Sequence, residues 1–251
     1  MACALERVEK LRQGEMASAR LIQQSLLPRD IRVTDHLAIA AVFLPADDVG
    51  GDFYDVIELQ DGSTLVAVLD VSGHGVPAAL CTALLRTVLR HESGAAATTV
   101  HIAEAMNLEF ADIGASGAFA TCFLARLVSS TGEIEYVNAG HELGVLIRAD
   151  GSIELLEGHD LPLGVDGSSK YRSFHASLNR DDRLFLFTDG LHEVFDEQGS
   201  QMGRERLRRA LAGTSKLPVD RQLQVMIEKA RSFQRQDRFN DDVTLLCARR
   251  K

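Results

Sequence analysis

The sequence predicts an α+β fold in which two antiparallel β-sheets pack face to face between outer helices. Short apolar runs are separated by turn dipeptides at hairpin spacing, as antiparallel neighbours require. Helical stretches fall in consecutive blocks, whereas alternation with single strands would mark a parallel sheet. Of the 251 residues, 45% are apolar, enough for a substantial buried core.

Residues 4–27 read as a helix, with Leu5, Val8, Leu11, Ala19, Ile22 and Leu26 near one face. Pro28 ends it, because the residue before a proline is driven out of helical geometry. This gives the domain division: 1–28 as an N-terminal linker or dimerisation helix and 29–251 as the main domain. The helix either lies on its own domain, or pairs with a second copy and relays a signal from another module. The runs 37–44, 52–59 and 64–71 read as strands, the last two joined at Asp61-Gly62. Residues 76–90 have Pro77 near the first turn and apolar residues on most sides, so this helix is expected to be buried. A second helix covers Thr98–Asp112. Strands follow at 118–128, 133–139, 143–149 and 152–157, punctuated by Thr131-Gly132 and Asp150-Gly151, with another at 183–188. Helices at 203–212 and 219–236 and a strand at 243–248 complete the chain.

Lys and Arg number 27 against 36 Asp and Glu, a net charge of −9. That sign argues against nucleic-acid backbones and anionic lipid as partners. The longest greasy run, Leu37–Leu44, is too short to span a bilayer, and the charged N-terminus is no secretory signal. Cys3, Cys81, Cys122 and Cys247 lie far apart and read as reduced side chains, not a disulfide frame or zinc knuckle. A cytoplasmic location is the expectation.

The chemistry is carried by carboxylates at strand ends. Asp52 opens a strand after Gly50-Gly51, Asp70 closes one before Ser72-Gly73-His74-Gly75, Asp189 follows FLFT, and Asp241-Asp242 precede the last strand. Antiparallel pairing would gather starts and ends on one rim. Two carboxylates about 4 Å apart repel by roughly 4 kcal/mol at an effective dielectric near 20, so a cluster of four calls for cations. Hard oxygen donors without His or Cys companions select Mg²⁺ or Mn²⁺. Two such ions can share a water and lower its pKa towards neutrality for attack on phosphorus. Asp47, Asp48 and Asp55 read as solvated or turn acids.

The motifs Val49-Gly50-Gly51-Asp52-Phe53-Tyr54-Asp55, Asp70-Val71-Ser72-Gly73-His74-Gly75, Asn138-Ala139-Gly140-His141, Leu161-Pro162-Leu163-Gly164, Thr188-Asp189-Gly190 and Asp241-Asp242-Val243-Thr244 occur in that order. Together they resemble the metal-dependent protein Ser/Thr phosphatases (PPM family), in particular the bacterial SpoIIE/RsbU-like branch, over roughly residues 23–249. The resemblance implies an α-β-β-α sandwich, two Mn²⁺ or Mg²⁺ ions, and metal ligands Asp52, Asp70, Asp189 and Asp241, with the Val71 main-chain carbonyl completing one shell. Asp242 is the alternative register for Asp241, and otherwise its hydrogen-bonding neighbour. Hydrolysis would take one step through the bridging water. His74 is a candidate proton donor to the leaving oxygen or a turn residue; His141 reads as structural. No Arg lies between Arg32 and Asp52, so the phosphate clamp of other branches has no counterpart there.

The implied substrate is phosphoserine or phosphothreonine on a regulatory protein, such as a STAS-type anti-anti-sigma factor in a partner-switching pathway, with a sensor or receiver module upstream. Residues 202–238 carry ten Lys/Arg against four Asp/Glu, which reads as solvated helix faces or as a docking surface for an acidic partner. The alternative function is a catalytically inactive pseudophosphatase that binds a regulator. The GGDF string alone suggests a diguanylate cyclase, but that fold leaves the other motifs unexplained.

Overall fold

The computed structural model describes the backbone of residues 2–28, 31, 36–94, 97–113 and 117–251, and their side chains except those of 2–8 and 113. The chain runs α1 (Ala2–Leu26), β1 (Leu37–Leu44), β2 (Asp52–Glu58), β3 (Thr64–Val71), α2 (Gly75–Glu92) and α3 (Thr99–Ile113). It continues through β4 (Ala120–Val128), β5 (Glu133–Ala139), β6 (Gly144–Ile147), β7 (Ile153–Leu156), β8 (Phe174–Ser177) and β9 (Arg183–Phe187). A 3-10 turn (Asp189–Leu191), α4 (Gly203–Gly213), α5 (Val219–Gln234) and β10 (Val243–Arg250) follow.

One sheet has the order β1-β10-β9-β6-β7 and the other β2-β3-β4-β5-β8, every ladder antiparallel. Strand parity sorts the core into layers. Val66, Val68, Phe123, Leu184, Leu186 and Leu246 fill the space between the sheets. Leu65, Ala67 and Leu69 point the other way, onto α2 and α3, and Phe185, Phe187 and Leu245 point onto α4 and α5. The result is the expected α-β-β-α sandwich.

Three expectations need correction. α2 is buried along one stripe only, Ala78, Thr82, Leu85 and Leu89, while Leu80 is 67% exposed. Its apolar residues outnumber the sheet surface available to cover them. The β8 strand adds to the expected set: it is a four-residue edge strand whose apolar-polar alternation, FHAS, is too short to stand out in the sequence. Asp55 is neither solvated nor in a turn. It is fully buried in β2, where Arg90 of α2 grips both its oxygens at 2.6 Å.

The N-terminal helix forms, but Leu11 and Ile22 are each 63% exposed, so its own domain does not cover that face. Leu5 and Val8 lie outside the described side chains. The helix is instead tied down by Gln23, whose buried amide donates to the Gly50 carbonyl (2.7 Å) and accepts from the Gly50 N–H (3.1 Å). The division at residue 28 falls beside residues 29–30, outside the described set.

Candidate metal centre

Parity also delivers the acids. Asp52 shares the inward face of β2 with Tyr54, and Asp70 shares the inward face of β3 with Val66 and Val68. The two are direct partners across the β2–β3 ladder, at its rim. Asp189 opens the 3-10 turn just past β9, and Asp241 and Asp242 immediately precede β10. Both of those strands lie in the opposite sheet. The rim is therefore fed from both sheets.

Each acid has a distinct environment. Asp52 is buried and accepts a hydrogen bond from Thr188 Oγ1 (2.7 Å), which itself accepts from the Thr244 N–H (2.9 Å). Burial, with the Asp70 and Asp242 charges, holds the Asp52 carboxyl well above the ordinary carboxylate range. Asp70 is pushed up to about 7 by burial and by Asp189, Asp241 and Asp242. Asp189 is pushed up to about 6 by burial, then by Asp241, Glu193 and Glu142. Burial also raises Asp241, against the hydrogen bond it accepts from the Asp242 N–H (2.8 Å).

Asp242 stands apart. Its Oδ2 accepts from the Gly51 N–H at 2.6 Å and its Oδ1 from the Ala46 N–H at 2.8 Å. Both oxygens are occupied in holding the loop that leads into Asp52. A Cβ at Gly50 would lie 2.1 Å from that carboxylate, so only glycine permits the approach. Because Gly51 N–H turns to Asp242, it does not return the bond that Val71 N–H donates to the Gly51 carbonyl (3.2 Å). The Val71 carbonyl is left facing Gly51, where a Cβ would come within 2.6 Å of it.

Among the described residues no Lys or Arg forms an ion pair with Asp52, Asp70, Asp189 or Asp241. No three His, Cys, Asp or Glu side chains among them close on a single point as they stand. The acids sense one another across the rim without converging on one atom. The donor set is all oxygen, with uncompensated negative charge, and fits hard divalent cations. His74 is exposed at the start of α2, near enough to Asp241 to bear on its charge. His141 is buried, with Nδ1 2.7 Å from Thr121 Oγ1, and burial lowers its pKa to about 4, so it is neutral at physiological pH. Asp47 and Asp48 are exposed in the bend before β2. Sequence reasoning missed the roles of Thr188 and Glu142. Thr188 sits inside the Thr188-Asp189-Gly190 motif and was legible there.

The family model for Stage II sporulation protein E (SpoIIE) matches residues 60–251. The chain belongs to the SpoIIE family. It is 27% identical over 242 residues to the phosphoserine phosphatase RsbU of Bacillus subtilis (strain 168), covering 95% of this chain and 71% of RsbU. The solved RsbU and RsbW domains of Rv1364c from Mycobacterium tuberculosis are 32% identical with a TM-score of 0.76, covering 90% of this chain and 62% of that one. The SiaA-PP2C domain of Pseudomonas aeruginosa superimposes with a TM-score of 0.84 at 25% identity, covering 99% of both chains. The SpoIIE-family chain thus carries the PP2C-type phosphatase fold, and spans less than two thirds of the mycobacterial polypeptide. No helix among its described residues is long and apolar enough to cross a membrane.

Proposed function

We propose that the chain is a metal-dependent protein phosphatase that hydrolyses phosphoserine or phosphothreonine on a regulatory protein, with a STAS-type anti-anti-sigma factor as the substrate class. One observation carries the reading: Asp52 and Asp70 are paired at the rim, both raised by burial and then by neighbouring carboxylates, with no ion-paired basic side chain among the described residues to neutralise them. A structural ion cluster would have such a partner; a site that keeps its charge unbalanced is built to receive cations.

Asp52, Asp70, Asp189 and Asp241 would hold two Mn²⁺ or Mg²⁺ ions, with the Val71 carbonyl as a neutral donor. When bound, such ions neutralise the rim and supply a nucleophilic water and Lewis acidity at phosphorus. Asp242 fixes the Gly50-Gly51 backbone and so positions Asp52, a role that favours Asp241 over Asp242 as the ligand of the pair. Thr188 orients the inner oxygen of Asp52. The α2 N-terminus, starting at Gly75, directs free N–H groups and positive dipole at an approaching phosphate. His74, exposed beside it, would protonate the departing serine or threonine oxygen.

The N-terminal segment 1–28, which contains α1, would serve as a linker to an upstream sensor or receiver module and as a homodimer contact, because Leu11, Leu21 and Ile22 face solvent. The test is hydrolysis of p-nitrophenyl phosphate and of a phosphorylated STAS protein. EDTA should stop both reactions and Mn²⁺ or Mg²⁺ should restore them. Absence of turnover at saturating Mn²⁺ would leave the binding-only pseudophosphatase.

A further inference from the structure

A cavity of about 180 Å³ lies outside the acidic rim, between α4 and the strands β6, β7 and β9. Val145, Leu155, Phe187, Leu207 and Leu211 form its apolar walls. Two features are out of keeping with a packing defect. The His141 ring is 4% exposed and lines the cavity; Nδ1 is taken by Thr121, and Nε2 makes no hydrogen bond of normal geometry, although the Phe187 backbone lies close to the ring. A buried ring nitrogen left unpaired costs about 1–3 kcal/mol, which a ligand atom would recover.

The second feature is charge. Arg204 and Arg208 also line the cavity, one helical turn apart on α4. Arg204 is held by Glu142 through two hydrogen bonds, at 2.9 and 2.6 Å. Arg208 is half-buried and has no hydrogen bond or ion pair among the described residues. An unpaired guanidinium over an apolar cavity suits a carboxylate, which it can grip with two N–H groups.

Size and polarity together define the occupant. A cavity of roughly 150 Å³ with aliphatic and aromatic walls accepts a benzene ring. This one is slightly larger, has Phe187 as a wall, and is lined by a ring whose Nε2 a hydroxyl can meet as donor or acceptor, whichever tautomer His141 adopts. We propose that the cavity is a binding site for a hydroxylated aromatic carboxylate of benzoate size, its carboxylate on Arg208 and its hydroxyl on His141 Nε2. The site does not depend on the phosphatase reading, since none of its named contacts is a rim acid. Occupancy bears on Phe187, two residues before Asp189.

Calorimetric titration of the full chain with 4-hydroxybenzoate tests it, with 4-hydroxybenzamide as the uncharged analogue. The acid should bind saturably with a Kd of about 1 mM or tighter, and the amide about tenfold more weakly. Arg208→Gln, on a partly exposed helix face, should weaken the acid about tenfold and leave the amide unchanged. Leu155→Phe, which fills the cavity, should abolish binding of both. Absence of saturable binding by the acid, or binding undiminished in both variants, overturns the site.

Discussion

Asp52 and Asp55 lie three residues apart on one strand, and both are buried. Odd spacing sends them to opposite faces of the sheet. Asp55 points to the helix layer, where Arg90 closes on both oxygens and Arg86 Nε stands 3.9 Å away. Asp52 points between the sheets and meets Asp70, Asp242 and a threonine hydroxyl. One buried acid is supplied with its counter-charge by the chain itself, and the other is denied it. The first arrangement stabilises a helix-to-sheet contact; the second creates demand for a cation.

The largest expected effect lies on the uncompensated side. Asp70→Asn should lower metal-dependent turnover by about 10³-fold or more while the fold persists, read by single-substrate kinetics beside circular dichroism. Near-normal turnover would remove Asp70 from the site. Without divalent ions the same substitution tests the electrostatics. Asp70 and Asp189 titrate in the fold at about 7 and about 6, above the roughly 3.9 of an unfolded Asp. Between those values the folded state holds the extra protons. The contribution of these two groups to stability in EDTA is therefore fully present below about pH 4 and is lost as pH rises towards 7. Asp70→Asn should flatten the upper part of that slope, and added Mn²⁺ should cancel the remainder; a Tm rising over that interval in EDTA would contradict the cause.

On the compensated side the effect moves from chemistry to stability. Arg90→Ala strands a buried carboxylate and should cost about 3 kcal/mol of folding free energy, with turnover per folded molecule unchanged. Denaturant titration and kinetics on the same sample check both halves. A loss of turnover without loss of stability would erase the distinction between the two acids.

The adjacent pair Asp241 and Asp242 repeats the contrast on a smaller scale. Asp242→Ala leaves the Gly51 and Ala46 N–H groups without their acceptor and should cost about 2 kcal/mol. Asp241→Asn should leave stability almost unchanged and weaken Mn²⁺ binding at least about tenfold by calorimetry. If Asp242→Ala instead weakens metal while sparing stability, the ligand register shifts by one.

Much of this was legible in the sequence. The runs 37–44, 64–71 and 133–139 coincide with β1, β3 and β5, because branched residues between turn signals leave little else possible. The rim was legible too, since strand starts and ends must meet in antiparallel sheets. What stayed hidden depends on contacts far apart in sequence. Nothing near Asp55 shows that Arg86 and Arg90 will reach it, although an acid between Tyr54 and Val56 in an apolar strand, and two arginines four apart on an apolar helix, were the available signals. The exposure of Leu80 was equally hidden, because hydrophobicity states a preference for burial without saying whether a partner exists.

The smallest effect sharpens the comparison most, because it changes neither charge. Thr188 Oγ1 accepts from the Thr244 N–H of one sheet and donates to Asp52 of the other. Its hydroxyl is thus the larger of two neutral influences, ahead of the Thr244 side chain, that favour the ionised form of Asp52 against burial and repulsion. Thr188→Val keeps the shape, strands one buried N–H, and should cost about 1 kcal/mol. Asp52 would then hold its proton more tightly, so Mn²⁺ would compete against it at a higher pH. The midpoint of Mn²⁺ activation should move to higher metal concentration at pH 6 and less so at pH 8, where protons compete weakly. An equal displacement at both pH values would show that Thr188 acts through packing alone and leaves the protonation of Asp52 untouched.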